Sequence, residues 1–125
     1  MQPINILLAE DYLETRELYA QVLRDAGYNV VTVTDGEEAL IEVKKDLYSL
    51  VLLDIMMPIV NGIQFLRNLK TVPLAHPPRV VLLTNLANEG VIQEAMHEGA
   101  YSYLIKSDLT PEEFVSRVRI FLDSK

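Results

Sequence analysis

The chain has 125 residues, half of them hydrophobic, with a formal net charge of −7. That length suits one domain around a well-buried core, and the acidic balance argues against a nucleic-acid surface, because phosphate backbones recruit lysine and arginine. Cysteine is absent, which excludes a disulfide framework and a thiolate metal site. The opening Met1-Gln2-Pro3-Ile4-Asn5 lacks the basic segment and apolar run of a signal peptide, and no apolar stretch approaches the ~20 residues of a membrane span.

In chain order, short apolar runs alternate with longer segments of helical period. Ile4 to Ala9 predicts a first strand, and Leu18, Val22 and Leu23 a helix that stops at Gly27, where a left-handed cap is wanted. Val30 to Val33 predicts the second strand, followed by Ala39, Leu40 and Val43 on a helix. Leu50 to Leu53 is the third strand, with Phe65, Leu66 and Leu69 on the next helix and a loop from Thr71 to Pro78. Val80 to Leu83 is the fourth strand. A helix carrying Val91, Ile92, Ala95 and Met96 follows and ends at Gly99; its apolar stripe is wide enough to serve both core and partner. Tyr101 to Ile105 is the fifth strand. Thr110-Pro111-Glu112-Glu113 then opens a last helix with Phe114, Val115, Val118 and Leu122; Thr110 can cap it, Pro111 fits its first turn, and Glu113 can complete a capping box.

Five strands alternating with five helices imply right-handed βαβ units and a parallel sheet. The first, third and fourth strands are almost continuously apolar, as strands covered on both faces should be. The second and fifth carry Thr32 and Ser102 and read as edges. The expected fold is a doubly wound, flavodoxin-like α/β domain spanning residues 1–125, with strand order 2-1-3-4-5.

In such a sheet, ligands bind beyond the carboxyl ends of the strands, where the strand order reverses. That point lies between the first and third strands. The first ends in Glu10 and Asp11 and the third in Asp54, so three carboxylates converge on one crevice. Unpaired, they would repel one another and raise some of their pKa values. A hard cation with oxygen ligands resolves the repulsion, and Mg²⁺ is the usual choice beside phosphate. The fourth strand ends in Thr84, a hydroxyl, and the fifth in Lys106, a point charge on a flexible stem. Carboxylates with a metal, a hydroxyl and an ammonium suit a phosphoryl group. Asp54 can attack phosphorus while the others stabilise charge on its oxygens.

Leu53-Asp54-Ile55-Met56-Met57-Pro58 with Asn61-Gly62 resembles the phosphorylation loop of response-regulator receiver domains of two-component signalling, of the chemotaxis-regulator type. Glu10-Asp11 resembles that family's acidic pair, Thr84 its hydroxyl residue, Lys106 its lysine, and Tyr103 its switch aromatic. Asp35-Gly36-Glu37-Glu38-Ala39-Leu40 and Gly99-Ala100 are also family-like, so the resemblance covers the whole chain. It implies a phosphoacceptor at Asp54 served by a histidine kinase or phosphotransfer protein. It implies Mg²⁺ held directly by Asp11, Asp54 and the Met56 carbonyl, with Glu10 acting mostly through water. Thr84 and Lys106 would hold the phosphoryl oxygens. Inward movement of Thr84 and Tyr103 would reshape the face built from helix 4, strand 5 and helix 5. The module would not be an enzyme beyond its own phosphorylation and dephosphorylation. It would act in the cytoplasm on a downstream protein, with no direct nucleic-acid or membrane contact, and could form a homodimer on phosphorylation. The chain may be a whole protein or a piece of a longer regulator.

Blander readings stand beside these. Glu10-Asp11 can cap the first helix, Thr84 can bond backbone, Lys106 can be solvated, and Tyr103 can pack on an edge strand. His76 and His97 read as surface residues. A flavin-binding protein of the same fold would need a phosphate-cradling loop where Ala9-Glu10-Asp11 stands. A phosphatase resembling the haloacid dehalogenase group would need an acid where Met56 stands. A degenerate receiver used only for docking is the remaining alternative. Two departures from the family pattern are Asn85 after the threonine, expected to narrow access, and Ser107 after the lysine, expected to leave a trans peptide bond there. Met56 and Leu86 flank the expected water path, and slow loss of the phosphoryl group follows from their lack of hydrogen-bonding groups.

Overall fold

The computed structural model describes residues 3–57, 59–85 and 89–123. Five strands, β1 (Asn5–Ala9), β2 (Asn29–Val33), β3 (Leu50–Asp54), β4 (Arg79–Thr84) and β5 (Ser102–Ile105), form one parallel sheet in the order β2-β1-β3-β4-β5. Between and after them run α1 (Leu13–Asp25), α2 (Gly36–Val43), α3 (Gly62–Leu69), α4 (Glu89–His97) and α5 (Pro111–Asp123). The expected topology and order are therefore those found, and each strand lies within a residue or two of its predicted span.

Alternation along the strands builds two cores, one on each face of the sheet. Ile6 and Leu8, Leu50 and Leu52, Val81 and Leu83 pack with Tyr19, Ala20 and Leu23 of α1 and Phe114, Val118 and Phe121 of α5. Their neighbours Leu7 and Ala9, Val51 and Leu53, Val80 and Leu82 point the other way, onto residues of α2, α3 and α4. A two-residue strand period is what lets one apolar run serve both layers. Each such side chain contributes about 1.5–3 kcal/mol by leaving water. Tyr19 stacks on Phe114 with ring centroids 4.2 Å apart, tying α1 to α5.

The helix ends follow local chemistry. Thr110 and Glu113 form the expected capping box: the Glu113 N–H donates to Thr110 Oγ1 at 3.2 Å and the Thr110 N–H to Glu113 Oε1 at 3.1 Å. Asn61 and Gln64 form a second one at α3, which the sequence reading did not single out. Asp35 caps α2 by accepting the Glu38 N–H at 2.8 Å. Gly27 and Gly99 follow α1 and α4 with φ of 99° and 111°, the left-handed geometry expected of them. The wide stripe of α4 divides, with Ile92 and Ala95 buried, Val91 half-buried and Met96 exposed. His76 and His97 are both exposed. No peptide bond among the described residues is cis, so Lys106–Ser107 is trans, and Lys106–Asp108 forms a short 3-10 turn absent from the sequence reading. No helix among the described residues is long and apolar enough to cross a membrane.

Candidate functional site

Register brings the candidate site residues together. Ala9 lies opposite Leu53, Asp54 opposite Leu83, and Thr84 opposite Ile105. The residues at or just past the ends of four parallel strands, Glu10, Asp54, Thr84 and Lys106, therefore stand along one edge. Backbone bonding carries the ladder past the strand ends: the Glu10 N–H donates to the Val33 carbonyl at 3.1 Å and the Ile55 N–H to the Leu83 carbonyl at 3.3 Å.

The carboxylate oxygens of Glu10, Asp11 and Asp54 lie within 4.8 Å of one another. Glu10 is fully buried, Asp54 is 7% exposed, and Asp11 is open to solvent. The buried ammonium of Lys106 donates to Glu10 Oε1 and lies 3.4 Å from Asp54 Oδ2. The Tyr12 N–H donates to Glu10 Oε2 at 3.2 Å, and the Met56 N–H to Asp54 Oδ1 at 3.2 Å. Glu10 therefore does not cap α1 in the usual sense. The cap position is Tyr12, which has no side-chain capping bond, and Glu10 is turned inward to Lys106.

Charge is under-compensated here. Burial, then the neighbouring Glu10, pushes the Asp54 carboxyl well above the usual aspartate range, and Lys106 and the Met56 N–H offset this only partly. Burial also raises Glu10, but its bonds to Asp54 and Lys106 outweigh that and hold it low. Burial and the neighbouring Glu10 thus favour the neutral form of Asp54, while the Lys106 ammonium favours ionised Glu10. Three clustered carboxylates with oxygen-only donors fit a hard divalent cation such as Mg²⁺, whose charge would let all three ionise.

A pocket of about 420 Å³ opens over this cluster. Its polar lining includes Thr84, Asn85 and Lys106 beside the three acids, and its apolar lining includes Tyr12, Met56 and Val91. Asn85 stands at the wall, and a substantial volume remains beside it. Tyr103 lies on β5 and is 43% exposed. Leu86 and Pro58, two residues of the sequence argument, lie outside the described residues. The sequence reading missed Arg16, whose guanidinium donates from α1 to the carbonyls of Glu10 and Asp11 at 3.1 and 3.3 Å and braces the acidic pair. Ile59 was also unforeseen: a β-branched residue at φ 67° and 70% exposed, in the loop between β3 and α3.

The sequence profile of the response regulator receiver domain matches residues 6–119. The chain is 37% identical over 116 residues to the transcriptional regulatory protein HprR of Escherichia coli (strain K12), covering 93% of this chain and 50% of that protein. It is 31% identical over 109 residues to a gliding motility regulatory protein of Myxococcus xanthus, covering 87% of this chain and 14% of that one. The chain thus spans half or less of the length of these two relatives. Among solved structures, the chemotaxis response regulator CheY4 of Vibrio cholerae superposes with a TM-score of 0.88 at 26% identity, over 97% of this chain and 100% of that one. The signal receiver domain of a putative response regulator NarL from Mycobacterium tuberculosis gives 0.89 at 28% identity, over the whole of both chains.

Proposed function

The chain belongs to the family of response regulator receiver domains, signalling modules of two-component systems, and from that premise we propose that Asp54 is its phosphoacceptor. The observation that carries this reading is the convergence of Glu10, Asp11 and Asp54 beside the Lys106 ammonium at the sheet's C-terminal edge.

The chemistry follows from the positions of the side chains. An ionised Asp54 oxygen forms a bond to phosphorus as the phosphorus–nitrogen bond of a phosphohistidine breaks, and that electron pair returns to the imidazole. The Met56 N–H fixes the carboxylate's orientation. Lys106 supplies positive charge where the phosphoryl oxygens arrive, and the Thr84 hydroxyl bonds one of them. Asp11, Asp54 and the Met56 carbonyl would hold Mg²⁺ directly and Glu10 through water, supplying charge that offsets both the carboxylate repulsion and the phosphoryl oxygens. Thr84 then turns toward the phosphoryl group and Tyr103, now outward, follows into the space it leaves. The face of α4, β5 and α5 changes shape for a downstream protein. The donor is a histidine kinase or a phosphotransfer protein, and the setting is the cytoplasm.

The test is to incubate the protein with acetyl phosphate and Mg²⁺, reduce the acyl phosphate and map the product by mass spectrometry. The label is expected at Asp54, absent after chelation and absent in Asp54→Asn. An undiminished label in Asp54→Asn overturns the assignment.

A further inference from the structure

Tyr12 is held by its backbone, its N–H donating to Glu10 and its carbonyl accepting from the Arg16 N–H, and its side chain takes no part in this. It occupies the cap position of α1, where a short polar side chain would bond the helix N–H groups, yet its side chain makes no capping bond. The residue is 59% exposed, so the core gains little from it. It nevertheless lines the pocket over Asp54, as does Met56, which at 78% is the most exposed large apolar side chain among the described residues.

We propose that the Tyr12 ring, with Met56 of the same pocket lining, forms a subsite for the imidazole leaving group of the phosphodonor and so selects among phosphodonors in favour of those that release imidazole. This inference rests on Asp54 being the phosphoacceptor. In a displacement at phosphorus the leaving group departs from the side opposite the attacking oxygen. Asp54 is buried beneath the pocket, so that side is the mouth. The phosphoryl oxygens engage Lys106 and Thr84, leaving the exposed apolar lining, Tyr12 and Met56, to meet the departing group. Imidazole presents a flat aromatic face that stacks on a tyrosine ring and meets a methionine sulfur favourably. The acetate released from acetyl phosphate presents no such face. The step balances: the P–O bond to Asp54 forms, the P–N bond breaks, and its electrons leave on an imidazole whose other nitrogen keeps its proton.

The experiment measures Asp54 phosphorylation of the full chain by phosphoimidazole and by acetyl phosphate, in wild type, Tyr12→Ala and Tyr12→Phe, with Mg²⁺ fixed. The ratio of the two rate constants cancels any difference in folded fraction. Tyr12→Ala is expected to lower the ratio of phosphoimidazole to acetyl phosphate roughly threefold to tenfold, and Tyr12→Phe, which keeps the ring, to retain it. An unchanged ratio in Tyr12→Ala overturns the subsite, and an equal fall in Tyr12→Phe overturns stacking as its basis. Failure of both donors to label wild type would instead remove the phosphoacceptor reading, and this inference with it.

Discussion

At the N-terminal end of the sheet the Arg79 guanidinium donates to the Phe121 carbonyl at 2.6 Å and lies over the Tyr101 ring, 4.5 Å from its centroid. Farther along the same end, on β1 and β2, neutral amides meet, with Asn29 donating to Asn5 and Asn5 to the Leu47 carbonyl. At the C-terminal end two buried carboxylates, Glu10 and Asp54, share the ammonium of Lys106, and a third, Asp11, stands close by. A parallel sheet gathers every strand start on one edge and every strand end on the other. One edge can then match its donors and acceptors for stability, while the other accumulates uncompensated charge. The difference sets a matched end of the sheet against an under-compensated one, and it can be tested from both ends.

The largest effect is expected from Lys106→Met. Removing the ammonium leaves Glu10 buried without its cation, and breaking such a pair costs about 3–5 kcal/mol. Urea unfolding without divalent cations measures it. A loss no greater than the ~1 kcal/mol of an exposed ion pair would mean that the carboxylates are solvated and the two edges not distinct.

A smaller effect is expected at the opposite edge. Arg79→Met removes a charged hydrogen bond and a cation–π contact from a half-buried position, worth about 1–2 kcal/mol together. The same unfolding series reads it, and phosphorylation of Asp54 should be unaffected. Slower labelling in this variant would show that the two edges are coupled through β4.

The smallest effect concerns turnover of the mark. Met56 offers no hydrogen bond to a water approaching Asp54, so Met56→Asn should speed phosphoryl loss about fivefold, the rate equivalent of one hydrogen bond of ~1 kcal/mol. Following decay of the acyl phosphate with Mg²⁺ and temperature fixed tests this. An unchanged decay would place Met56 beside the water path rather than on it.

Strand order and the converging acids were legible because they depend on period and position. The uninterrupted apolar runs of β1, β3 and β4 marked them as central, and Glu10, Asp54, Thr84 and Lys106 each fall at or just past a strand end. The brace from Arg16 was not legible, because a guanidinium reaching back to two carbonyls leaves no pattern in hydrophobicity. The left-handed Ile59 was hidden for the opposite reason. A β-branched residue is disfavoured there by about 1–2 kcal/mol, so local preference pointed away from the conformation the surrounding loop imposes.

The sequence by itself determined the parallel α/β architecture and the end of the sheet on which Glu10, Asp11, Asp54, Thr84 and Lys106 gather, since these follow from side-chain periodicity and the chirality of βαβ units. Only the tertiary structure decided how the acids divide their roles. Glu10 is sealed against Lys106, Asp54 is buried beside it with its carboxyl pushed up, and Asp11 faces solvent. Three neighbouring carboxylates differ in environment through burial and through which of them an ammonium can reach, and both are set by packing across elements distant in the chain.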